Sequence, residues 1–216
     1  MRIVPAVPLA ALALLAMADA GRAQSRCAPV DSLVALELDI KPAELSHERG
    51  IAELREAASL SDGQHRTGLY QVEIQRRSQW RVTVSQAADR VCLAVPEVRI
   101  RVEIPTRTIY VAHDLDRDSC LYEVTLDHER QHERIDEDFF RGSLPARVEA
   151  LRGEFAALRT PTPVRVSGRE QAIRDLHARA EAIVERMFVQ FLADREQAQL
   201  AIDTPEEYAR TDERCR

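Results

Sequence analysis

The chain has 216 residues, 45% of them hydrophobic and 31% charged, which is enough apolar content for one buried core and too much for a disordered polymer. Binding nucleic acid needs a basic face to displace counterions, and with a formal charge of -6 it is not an expected partner. Aromatic residues at 5% and only 7 glycines disfavour an aromatic-rich β-sandwich and a glycine-rich phosphate-loop enzyme.

Residues 1–23 open with Arg2 and continue as an apolar run from Ile3 to Ala18. Small-residue cleavage patterns follow at Ala18-Asp19-Ala20 and Gly21-Arg22-Ala23. This pattern predicts a secretory signal peptide. The run contains Pro5 and Pro8 and falls short of the ~20 residues needed to span a bilayer. The expected mature chain, residues 24–216, is one domain, periplasmic or secreted, with no integral membrane segment. Cys27, Cys92, Cys120 and Cys215 form no C-x-x-C, so two disulfides are expected in an oxidising compartment. Three pairings are open. Cys92–Cys120 with Cys27–Cys215 is the favoured one.

Leu33 to Ile40 reads as a short strand, and Pro42 to Leu60 has helical spacing up to the turn Ser61-Asp62-Gly63. Leu69–Gln75 and Trp80–Gln86 alternate and suggest a hairpin around Arg76–Gln79. Val98, Ile100, Val102 and Ile104 alternate with Arg99, Arg101 and Glu103, a half-buried strand that Pro105 should end. Thr108–His113 reads as another short strand and Asp114–Ser119 as an acidic loop. A helix then runs from Cys120 through Leu121, Val124, Ile135 and Phe139 to a break at Gly142-Ser143 and Pro145. Ser143 should cap a second helix with Val148, Leu151, Phe155 and Leu158 on one side. After the stiff Thr160-Pro161-Thr162-Pro163 linker, a long helix starts at Ser167. The expected fold class is α+β: a small, largely antiparallel sheet followed by a histidine-bearing helix and a long C-terminal helix packed on it.

That histidine-bearing helix contains His128-Glu129-Arg130-Gln131-His132, an H-E-x-x-H motif. Residues four apart share one helix face, so both imidazoles can reach one Zn²⁺. Glu129 then faces the open side of the metal, where it can take a proton from an activated water and pass it to a leaving amine. Both histidines lie on the apolar stripe, and a shared metal would partner them there. The competing expectation is a charged surface helix with ordinary histidines. His113, at the end of the preceding strand, is the best of the isolated histidines.

HERQH in a helix, after strands, in an exported chain, resembles a zincin metalloprotease. More narrowly, the sequence resembles the bacterial family of predicted secreted zinc-dependent proteases, itself largely a domain of unknown function. The shared features are the strand-rich start, Val91-Cys92-Leu93, the strand ending at Pro105, and the run from Cys120 to His132. The resemblance covers roughly residues 28–210. It implies zinc-dependent peptide hydrolysis with His128 and His132 as ligands, Glu129 as general base, and a peptide or protein as substrate. The third histidine of metzincins is absent, because Ile135 stands where their glycine would be.

A catalytic zinc needs a third protein ligand. Counting outward from Pro163 at equal rise places residues near Glu196 opposite the motif. Asp203 and Glu207 are the expected candidates, in a segment that faintly resembles an acidic C-terminal motif of the secreted-protease family. Asp194 stands behind them, then Glu149 and Glu154. Thr204, Pro205 and Glu207 also fit a capping box, which leaves Asp203 unexplained. The alternative function is a non-catalytic periplasmic helical binding protein whose metal is structural or absent.

Overall fold

A computed structural model describes residues 26–57 and 67–216. The expected signal peptide, and the end of the helix expected at Leu60 with its turn, lie outside the described residues. In chain order the elements are β1 (Leu33–Ile40), β2 (Glu44–Ser46), α1 (Ile51–Ala57), β3 (Gly68–Ala87), β4 (Arg90–Val111), α2 (Cys120–Glu137), a π turn (Asp138–Ser143), α3 (Leu144–Ala156), β5 (Val164–Arg165), α4 (Arg169–Leu200) and α5 (Pro205–Arg214).

The fold is α+β, with a five-stranded sheet built around β4. The expectation of a largely antiparallel sheet is corrected. β1 and β2 run parallel to β4, one after the other along its edge, while β3 and β5 pair with it antiparallel. Hydrophobic alternation sets which face a strand buries, not the direction of its partner. The chain reverses once between β2 and β3, by way of α1, and again at the β3–β4 hairpin, so β4 runs in the direction of β1 and β2.

The expected turn at Arg76–Gln79 is also corrected. It contains no Gly, Pro, Asn or Asp, and the chain runs through it as one 20-residue strand. The turn lies at Ala88-Asp89, where Ala88 takes a left-handed φ of 53°. Pro105 does not end its strand. It sits where the β3–β4 register shifts, between the pairs Glu73↔Thr106 and Gln75↔Glu103. On the opposite edge it falls between the last β1 partner, Ile104, and the first β2 partner, Thr108. A residue without an N–H is harmless where neither ladder asks for one. Pro96 sits at the second register shift in the same way.

Part of the expected Pro42–Leu60 helix is strand: Glu44–Ser46 add to the β4 edge, and the helix begins at Ile51. Ser143 does not cap α3 through its side chain. The chain passes from α2 to α3 through the π turn, with Pro145 in the first turn of α3.

The core lies between one sheet face and two helices. Val34, Val98, Ile100, Val102 and Ile104 from the sheet meet Leu144, Val148, Leu151 and Phe155 of α3 and Leu176, Val184 and Phe191 of α4. Arg99 and Arg101 alternate outward, as the sequence pattern requires. The disulfides are Cys27–Cys92 and Cys120–Cys215, which corrects the favoured pairing. Sequence order alone cannot tell which β-segment lies beside which terminus. These two disulfides are compatible with an extracellular location. Among the described residues, no helix is long and apolar enough to cross a membrane.

Candidate metal centre

Helix α2 begins at Ser119, whose hydroxyl accepts the Tyr122 N–H at 3.2 Å. Its buried face is Val124, Thr125, His128, Glu129, His132 and Asp136, so four of its six inward side chains are ionisable. α4 runs antiparallel to it: Arg195 meets Asp136 and Gln199 meets His132. The turn after α4 then brings Asp203 to the two histidines.

His128, His132 and Asp203 form a group that could hold a metal ion. The two Nε2 atoms are 3.2 Å apart, and Asp203 Oδ1 lies 3.0 Å from that of His128 and 3.3 Å from that of His132. Three donors held at ~2.0–2.1 Å around a tetrahedral centre lie about 3.3 Å from one another. The observed edges, 3.0, 3.2 and 3.3 Å, are close to that spacing. His132 is raised above its ordinary pKa: burial opposes this, but the hydrogen bond and charge of Asp203, with the charge of Glu129, outweigh it. The arrangement therefore draws positive charge to this point, as a proton or as a cation.

Asp136 is 1% exposed and fully occupied. Arg195 grips it with two bonds, of 2.7 and 2.9 Å, Tyr70 donates its hydroxyl at 3.0 Å, and Gln199 donates at 2.6 Å. Arg107, buried in β4, donates to the Tyr70 oxygen at 3.0 Å and pairs with Glu137 at 2.5 Å. Burial, and then the charge of Asp136, push the Tyr70 phenol up, so its proton stays in place for that bond. A continuous polar chain thus ties the histidine-bearing face of α2 to the central strand.

Glu129 is also buried, and its charge reaches His132. Its side chain occupies space left by Gly68, the first residue of β3. A Cβ there would stand 2.6 Å from Glu129 Oε1 and 2.7 Å from Thr125 Cγ2.

The other candidates lie elsewhere. Glu207 pairs with Arg210, and its N–H donates to Thr204 Oγ1 at 3.2 Å, the cap expected for α5. Asp194 pairs with Arg147, Glu149 with Arg152, and Glu154 with Arg186. His113 is more than half exposed, with Asp114 at 3.9 Å.

Comparison with known proteins finds no matching family model, no matching curated protein and no matching solved structure.

Sequence reasoning places Asp136 at the edge of the histidine face but gives it no role, and it misses Gln199, Arg195, Tyr70, Arg107 and Gly68. Asp136 had a signal: it continues the His128, His132 spacing by one more turn of the same face. The other five had none, because their roles arise from contacts between distant elements.

Proposed function

We propose that this chain is an exported zinc-dependent peptidase. The donor triangle of His128, His132 and Asp203 carries the reading. Among the described residues it supplies three protein ligands, the number that a catalytic zinc takes beside its water. Imidazole nitrogens with one carboxylate oxygen also suit Zn²⁺ in ligand type. When bound, the ion supplies Lewis acidity, polarising a peptide carbonyl and lowering the pKa of water to about 7.

The remaining steps belong to the chain. Glu129 sits beside His132 on the motif face and takes a proton from the attacking water. It then returns that proton to the leaving nitrogen. Burial of Glu129, at 4% exposure, holds its carboxylate in one place through both transfers. A structural zinc site would have no need of a buried acid between its two histidines.

The test is Glu129→Gln, which keeps the shape and removes the base. Zinc content by X-ray fluorescence should equal that of the parent, while hydrolysis of unfolded casein falls by at least 10²-fold. A parent that binds zinc but leaves casein and cell-wall peptides intact, as Glu129→Gln also does, would favour the non-catalytic binding protein.

A further inference from the structure

The carboxamide of Gln199 can be assigned by its neighbours. One of its terminal atoms lies 2.6 Å from Asp136 Oδ1 and 3.1 Å from the His132 carbonyl oxygen. Both neighbours only accept, so that atom is the nitrogen. The other atom, Oε1, lies 2.5 Å from His132 Nδ1 and can only accept. A neutral His132 must then carry its proton on Nδ1. Its lone pair is left on Nε2, the atom that faces His128 Nε2 and Asp203 Oδ1.

We propose that Gln199 is a positioning residue that fixes His132 in the Nδ1–H tautomer, with Nε2 presented as the ligating atom. The opposite tautomer would put a hydrogen where the metal has to bind. Rotation of the carboxamide would bring Oε1 against Asp136 and the His132 carbonyl, two acceptors, and the Nε2 donors against Nδ1. That alternative loses two bonds, so Gln199 is locked in one orientation. The lock is anchored in turn: Arg195 and Tyr70 hold Asp136, and Arg107 holds Tyr70. α4 thereby acts on α2 through hydrogen bonds to His132 and Asp136.

The tautomer holds whether or not metal binds; its use for ligation rests on the zinc reading above. Two measurements separate them. The first is nitrogen-15 NMR of the metal-free mature chain with labelled histidine, at alkaline pH where the rings are neutral, with the His132 signals assigned by their loss in His132→Gln. The parent should show a protonated Nδ1 and a bare Nε2, and Gln199→Leu should shift the ring toward the Nε2–H form. A parent His132 protonated on Nε2 overturns the proposal without need of any variant. The second is zinc affinity, measured against a competing chelator. Gln199→Leu should bind one zinc 10–100-fold more weakly, the usual effect of losing the partner behind a ligating histidine. Unchanged affinity in a Gln199→Leu protein with native circular dichroism overturns the positioning role. A parent that shows the expected tautomer but binds no zinc leaves the hydrogen-bond assignment standing and sinks the zinc reading instead.

Discussion

Gly68→Ala adds one methyl group at the tightest point of the candidate site. The new carbon would lie 2.6 Å from Glu129 Oε1, 2.7 Å from Glu129 Cγ and 2.7 Å from Thr125 Cγ2. All are closer than carbon and oxygen tolerate, and both neighbours sit on buried positions of α2. Overpacking of this kind costs about 1–3 kcal/mol. Alanine recovers ~0.5–1 kcal/mol over glycine within a strand, through lower chain entropy in the unfolded state. The expected net loss is therefore about 0.5–2 kcal/mol. It should be read by urea denaturation with chelator present, so that metal binding does not contribute. The same substitution in a Thr125→Ser, Glu129→Ala background meets none of the three contacts and should be neutral or slightly stabilising. The difference between backgrounds is the coupling between Gly68 and these two side chains. In the otherwise native chain, Glu129 has to move, so casein hydrolysis should drop while zinc content persists. Equal effects of Gly68→Ala in both backgrounds would refute the claim that Gly68 makes room for Glu129.

Asp203→Ala should weaken zinc at least tenfold in a chelator competition, whereas Glu207→Ala should bind like the parent because its carboxylate is engaged with Arg210. Glu137 is held below the ordinary carboxylate range: burial works against this, but Arg141 and Arg107 outweigh it. Its contribution is present above the unfolded-state value and is lost as pH falls through the lowered folded one, so Glu137→Gln should flatten the acid limb of the Tm-against-pH curve below about pH 5. Reduction should destabilise the chain by about 2–5 kcal/mol per disulfide, measured by chemical denaturation with and without a dithiol. Replacing Cys120 and Cys215 by serine should also weaken zinc, since that bridge ties the segment after Asp203 to the start of the histidine helix.

Much of this site was legible because its first part is local. His128, Glu129 and His132 need only the helical period to be placed together, and no partner element has to be known. Asp203 was legible for a different reason. Its neighbours Thr204, Pro205 and Glu207 had a capping role, and it alone lacked one. Asp136 and Gln199 were lost among many similar residues on charged helices. Only the antiparallel register of α4 on α2 distinguishes them. In the sheet, alternation located the buried residues of β4 but not its length, because a proline reads as the end of a strand unless a register shift is known to receive it, as it does Pro96 and Pro105. The direction of β1 was hidden for the reason that pairing partners always are: a strand's own pattern is the same in either direction.

The two disulfides join cysteines that are consecutive along the chain, Cys27 to Cys92 and Cys120 to Cys215, so the covalent rings follow one another and do not interlock. For a chain that emerges N-terminus first, each odd cysteine waits for the next one to appear. An oxidant that joins every new thiol to the one already waiting produces the native pattern with no reshuffling. The first ring closes around β1, β3 and the start of β4 while the histidine helix is still to come. The second closes only when Cys215 arrives, twelve positions after Asp203. The histidine pair therefore emerges well before Asp203, so under the zinc reading proposed above the metal is captured late in synthesis rather than serving as an early nucleus for folding.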